Sequence, residues 1–289
     1  MYRSDGYRVN GNDPMYEIVP HIMPQRYDAS NSIKVNIDLE PMQDYIRQCR
    51  RGVSISHMSI IIAGYLRLVS QNPYLNRFVM NKKIYARNHF CVSFVTLTPG
   101  AESDTVSKLY FNLDDTLDIV NDKINAAIDR AKNLKGPNSM DKLAAKLCRT
   151  PFLLTFGIGF LKLLDKFFTL PMSIVDASPF HTSLFVTNLA SIRTNTIYHH
   201  LYEFGTTGVF VSMGQPMKKI VKNGETVEEK KIMELGIVTD ERIANGHYYG
   251  RCFKELSRYY KNPALLETPP ETIVKDPHVR KKNPKWILK

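Results

Sequence analysis

The sequence predicts an α+β protein: a mixed β-sheet with helices packed against it. Segments with two-residue apolar alternation and segments with helical apolar spacing follow one another without strict alternation, which favours a mixed sheet. No segment repeats along the chain and no long linker divides it, so one domain is expected. A chain of 289 residues, 43% hydrophobic, with 15 Tyr and 14 Phe, can bury a sizeable core, and disorder of its body is excluded.

The elements can be justified in order. IKVNIDL, from Ile33 to Leu39, alternates as a strand, and MQDYIRQCRR follows with helical spacing. SHMSIIIAGYLRLVSQNP, from Ser56 to Pro73, has a serine cap, apolar residues around most of the turn and Asn-Pro as its stop; this helix belongs in the core. RFVMNKKIYA reads as a hairpin turning near Asn81-Lys82, and HFCVSFVTLT, from His89 to Thr98, as an inner strand apolar on both faces. TLDIVNDKINAAIDRAKNL, from Thr116 to Leu134, is an amphipathic helix with a threonine cap and Asp118 in its first turn. SLFVTNLA, VFVSMGQPMKKIV and KKIMELGIVTDER are each read as a strand, with KNGE as a turn. ANGHYYGRCFKELSRYYKNPALL, from Ala244 to Leu266, begins as a loop and becomes a helix ending at Asn262-Pro263.

The net charge of +11 points to an anionic partner or to a solubilising surface. Part of the excess lies in the last fifteen residues, where Lys275, Arg280, Lys281, Lys282, Lys285 and Lys289 face a single Asp276; this stretch is read as a tail, solvated or lying on a neighbour or an acidic surface. Nucleic-acid binding lacks zinc-finger spacing and RNP-like aromatics. Cys49, Cys91, Cys148 and Cys252 form no CxxC pair, and the first residues are polar, unlike a signal peptide; a reduced cytoplasmic protein is expected. The apolar segment Pro151 to Val175 carries Lys162, Asp165, Lys166 and Pro171. Charges at mid-bilayer cost roughly 2.5–3.5 kcal/mol each, so a spanning helix is not expected. Burial in the core or at a subunit contact is favoured, with contact at a membrane surface as the lesser option.

In this order the segments resemble the catalytic core of dihydrolipoyl acyltransferases of 2-oxoacid dehydrogenase complexes, which share their fold with chloramphenicol acetyltransferase. The long helix, the NPYLN stop, the hairpin and the inner strand match. VTNLAS, from Val186 to Ser191, is similar to the family's Ser-Asn-Leu-Gly segment, and TDERIANG lies where the family carries Asp-His-Arg-x-x-Asp-Gly. The resemblance divides the chain into an N-terminal extension over 1–30, a core over 31–266 with an apolar insertion near 151–180, and a basic tail over 267–289. It implies a chloramphenicol acetyltransferase-like homotrimer in which CoA and an acyl acceptor enter a channel at the subunit interface. With no lipoyl domain or Pro/Ala-rich linker ahead of the core, a stand-alone core is expected.

The resemblance places Glu241 where the family has its histidine base and Thr187 where it has a hydroxyl that stabilises the oxyanion. A carboxylate of ordinary pKa lies roughly four units below a thiol, a gap that burial can narrow by about 3–5 units. Asp240, Arg242 and Gly246 match structural motif residues; Asn245 replaces an aspartate, and Arg26 is the candidate for the arginine that braces it. Glu241 and Arg242 could alternatively form a structural ion pair. His199, His200 and His247 are reserve bases, and no metal is expected. The expected function is acyl transfer from an acyl-CoA thioester to an unidentified small-molecule acceptor with a remodelled base. The alternative is a non-catalytic trimeric scaffold or binding protein of the same fold.

Overall fold

A computed structural model describes residues 3–49, 54–96, 105–133, 149, 151–279 and 284–287. Leu97 and Thr98 of the expected inner strand, Cys148, and Arg280, Lys281, Lys282 and Lys289 of the tail lie outside the described residues. The chain is organised by a seven-stranded sheet in the order β2 (Ser30–Asp38), β10 (Thr226–Asp240), β8 (Val209–Met213), β7 (Leu184–Asn188), β5 (Phe90–Thr96), β6 (Thr105–Phe111), with β9 (Met217–Asn223) also paired to β10. β5 and β8 run parallel to β7 and the remaining pairs are antiparallel, so the sheet is mixed. A second, three-stranded sheet joins β1 (Gly6–Arg8), β4 (Lys83–Arg87) and β3 (Arg77–Met80).

Alternation along the strands assigns the two faces of the large sheet. Val92 and Phe94, Leu184 and Val186, and Leu235 and Ile237 point into the main core, which they share with α3 (His57–Gln71), α4 (Leu117–Asn133) and α7 (Gly246–Lys261). Phe185, Phe210 and Val238 point the other way and meet Leu201 in a smaller cluster. The helix α3 is buried on nearly every side, and Ser56 caps it by accepting from the Ser59 N–H. α2 (Glu40–Cys49) precedes it and packs against α7, and the NPYLN stop forms a 3₁₀ turn over Pro73–Asn76.

The β3–β4 hairpin turns on Asn81 and Lys82, with φ of 48° and 59°, the left-handed pair a two-residue hairpin requires. VFVSMGQPMKKIV is two strands rather than one. At Gly214 the backbone leaves β8 where a Cβ would meet Thr196 N at 2.7 Å, and Pro216 offers no N–H to continue the ladder. Three further elements carry weak signals in the sequence: β1, the edge strand β6, and α1 (Pro14–Ile22), a short helix with Pro20 inside it.

The apolar segment forms α5 (Pro151–Phe167) and α6 (Met172–Ala177). Core burial is not what α5 shows in this chain: Phe152 is 83% exposed and Phe156 64%, with Phe160, Phe167 and, just past the helix, Phe168 also exposed. The helix is held near its C-terminal end by Asp165, which is buried and bonded to Arg3 at 2.9 Å and to His181 Nε2 at 3.0 Å. Among the described residues no helix is long and apolar enough to cross a membrane.

The described part of the C-terminal segment lies on the protein's own body instead of extending into solvent. Asp276 pairs with buried Arg77, Val279 bridges to Val9, and the Ile287 N–H reaches the Asn88 carbonyl at 2.7 Å. Asp276, the one acidic residue of the last fifteen, therefore neutralises a cation inside the fold.

Candidate active site

The loop that follows β10 is built on Asp240. This carboxylate is fully buried and receives Arg242 Nε at 2.8 Å and Nη2 at 2.7 Å, while Arg26 Nε lies 3.6 Å away. Burial pulls the Arg242 guanidinium down, but the hydrogen bond and charge of Asp240 outweigh it and hold it above its ordinary value. For Arg26, burial wins over the attraction of Asp240 and lowers it. Arg26 also donates to the Tyr202 carbonyl at 2.6 Å. The tyrosine hydroxyl of Tyr249 donates to the Asp240 carbonyl at 3.0 Å, so the start of α7 is tied to the same residue.

Arg26 thus reaches Asp240, not Asn245, and Arg242 pairs with Asp240, not Glu241. The reason is geometric: Asp240 ends β10 facing inward, whereas Asn245 is exposed. Asn245 is the N-cap of α7, its Oδ1 accepting from the Tyr248 N–H at 2.9 Å, and its own N–H donates to the Tyr16 hydroxyl at 3.1 Å. Gly246 opens the helix and His247 follows, exposed.

Glu241 is half-buried. Its N–H donates to the Ala29 carbonyl at 2.8 Å and its Oε2 accepts from Asn31 Nδ2 at 3.0 Å. Asn31 was not legible as a site residue, because only the register of β2 against β10, which sets Asn31 opposite Thr239, brings it there. Tyr16 was missed for a similar reason: it sits on α1, which has little sequence signature.

Thr187 lies near the end of β7 and lines a pocket of about 210 Å³ with Met58, Phe94, Ile128, Lys132 and Asn188. Within the chain Thr187 and Glu241 are far apart. Thr187 stands opposite Ser212 on β8, while Asp240 donates its N–H to the Gly208 carbonyl near the other end of that strand. At ~3.3 Å per residue, the four-residue offset between Ser212 and Gly208 amounts to roughly 13 Å along the strand.

The two adjacent histidines sit in an irregular segment, not a strand, and their rings stack on each other at 4.5 Å. His199 also stacks on Phe210 at 4.1 Å, and burial lowers its pKa below the ordinary value. His200 is exposed. Neither histidine joins Glu241 or Thr187 through a hydrogen bond among the described residues.

Comparison with solved structures assigns the fold. The chain has the chloramphenicol acetyltransferase-like fold shared by the catalytic cores of dihydrolipoamide acyltransferases. It is similar to a probable dihydrolipoamide acetyltransferase from Listeria monocytogenes, at 12% identity and TM-score 0.58 over 88% of this chain and 93% of that one. It is also similar to the dihydrolipoamide acetyltransferase of Azotobacter vinelandii, at 10% identity and TM-score 0.59 over 88% of each chain. A chloramphenicol acetyltransferase aligns at 9% identity and TM-score 0.55, over 87% of this chain and 96% of that one. No family model and no curated protein matches the sequence. The Azotobacter enzyme has been studied for the catalytic roles of a serine, a histidine and an asparagine, the last two four positions apart.

Proposed function

We propose that the chain is a homotrimeric acyltransferase that moves an acyl group from a CoA thioester to a thiol, hydroxyl or amine, at sites completed between subunits. The observation that carries this reading is the separation of Thr187 from Glu241 on a fold otherwise associated with acyl transfer. One subunit offers the two groups at opposite ends of a strand, and a neighbouring copy supplies the missing half of each site. The exposed apolar face of α5 is surface that a second copy can cover. The net positive charge suits the phosphates of CoA, and free Cys49, Cys91 and Cys252 suit a reduced, cytoplasmic compartment.

In this reading the Glu241 carboxylate takes the proton of the acceptor as its heteroatom attacks the thioester carbonyl. The Thr187 hydroxyl donates to the developing oxyanion. Collapse breaks the C–S bond, and the departing CoA sulfur recovers the proton from Glu241. Asn31 orients the carboxylate, and the Asp240–Arg242–Arg26 cluster fixes the loop that presents it. His247, exposed at the start of α7, is the reserve base, followed by His199 and His200.

Calorimetric titration with CoA and acetyl-CoA tests the reading first. Saturable binding with micromolar affinity is expected, and Glu241→Gln should then retain binding while losing turnover roughly 10²–10⁴-fold. If neither ligand binds, the fold serves as a non-catalytic trimeric scaffold and the enzymatic reading fails.

A further inference from the structure

The exposed apolar residues of α5 are regularly spaced. Phe152, Phe156, Phe160, Leu163 and Phe167 recur at intervals of four, four, three and four residues. At roughly 100° per residue they fall within about 80° of one another around the helix axis, in a row about 22 Å long. All five side chains are exposed, and the Phe156 and Phe160 rings lie parallel with centroids 6.4 Å apart. Asp165, which ties α5 to Arg3 and His181, stands about 180° from the middle of the row. Leu154 and Leu161, on the Asp165 side, are partly buried. The row therefore faces directly away from the part of the fold that holds the helix.

One border of the row carries Thr155, Lys162 and Lys166, all exposed, and the Lys166 ammonium lies 5.5 Å from the centre of the Phe167 ring. Arg149, two residues ahead of the helix, is exposed as well. The one acidic residue of α5, Asp165, is buried and bonded. The exposed surface of α5 thus presents apolar side chains and cations, and no anion. Single exposed apolar residues are ordinary, but a continuous row marks a surface that another body covers. A second copy docked on the same row about a two-fold axis would bring its own Lys162 and Lys166 against a helix with no exposed acid. A lipid surface with anionic headgroups complements both parts. Phenylalanine rings enter the boundary between headgroups and acyl chains, while lysine stems lie along apolar surface and carry their ammonium groups to the phosphates.

We propose that α5 docks the protein on a membrane surface that carries anionic lipid, lying flat in the headgroup region without crossing it. Phe152, Phe156, Phe160, Leu163 and Phe167 enter the acyl boundary, and Lys162 and Lys166 meet lipid phosphates. The chemistry assigned to Thr187 and Glu241 does not involve this helix, so the two readings stand or fall separately.

The test is flotation of the full chain with vesicles of phosphatidylcholine alone and with about 30% phosphatidylglycerol, in about 0.1 M and about 1 M salt. Binding to the mixed vesicles should saturate at low salt and weaken at high salt. Phe156→Ser combined with Phe160→Ser should weaken it at least roughly tenfold without lowering the melting temperature, because both rings are already exposed in the fold. Lys162→Gln combined with Lys166→Gln should weaken binding to the mixed vesicles roughly tenfold. Phe156→Trp should add fluorescence that moves to shorter wavelength when mixed vesicles are added. Absence of binding to the mixed vesicles at low salt would overturn the proposal, as would binding that survives the phenylalanine substitutions. If sedimentation without lipid shows that those substitutions break a larger oligomer and vesicles do not bind, the row belongs to a second copy and the proposal fails.

Discussion

Arg77 holds Asp276 through two hydrogen bonds, from Nε at 2.6 Å and from Nη2 at 2.7 Å, with both side chains nearly inaccessible to water. The guanidinium is sandwiched further by the Tyr74 ring, 3.4 Å from its centre. This pair fastens the C-terminal segment to the start of the β3–β4 hairpin. Asp276→Ala strands a buried cation and should destabilise the fold by about 3–5 kcal/mol in urea unfolding. Arg77→Met combined with Asp276→Leu should recover most of that loss, because a well-packed apolar pair replaces the ion pair without an orphan charge.

Acid should act through Asp165 and Asp5. Burial pushes the Asp165 carboxyl up, but hydrogen bonding and charge from His181 and Arg3 outweigh it and hold it below the ordinary value. Asp5 is likewise held low: burial opposes, and Arg3 prevails. A carboxyl depressed in the folded state contributes stability that is fully present above the unfolded pKa of about 3.9 and is lost as pH falls below it. Stability measured from pH 7 downward should stay flat on this account and drop below about pH 4. Asp165→Asn should be less stable at pH 7 and show a shallower acid limb.

Asn245 tests whether a motif position serves folding or chemistry. As an N-cap its replacement by alanine should cost about 1 kcal/mol, whereas aspartate, an equally good cap, should be neutral. Thermal unfolding of the two variants measures the structural part. Any turnover lost in Asn245→Asp without loss of melting temperature belongs to the site.

Mixed subunits test the proposed interfacial site. Thr187→Ala and Glu241→Gln should each be nearly inactive alone, the first by roughly 10²–10³-fold. Unfolded and refolded together in equal amounts, they should regain roughly a quarter of the wild-type activity, since about one interface in four pairs an intact threonine with an intact glutamate. No recovery would mean both groups act within one subunit.

Much of the fold was legible because it is written in local pattern. Ser56 and the apolar run after it announce α3, and Asn81-Lys82 announces a hairpin turn whose backbone is left-handed at both residues. The candidate site was legible only as positions. That Glu241 meets Asn31 and that Arg26 meets Asp240 depend on which strands and loops lie side by side, which no local pattern specifies. The apolar helix α5 misled for a related reason. Its composition suggests burial, but one acid, Asp165, fixes how it sits by reaching Arg3 and His181, and most of its phenylalanines stay outside.

The pairing of β2 with β10 joins stretches far apart in the chain: Lys34 and Glu234, in ion-pair contact, are separated by 200 positions. A sheet whose outer ladder closes so late must form most of its contacts before that closure is rewarded, and topologies of this kind fold slowly. On a ribosome, β2 would wait with an open edge until β10 had been made, offering unpaired N–H and C=O groups to any passing strand. Expression yield of this protein should therefore depend on temperature and on chaperone supply well before its equilibrium stability becomes limiting.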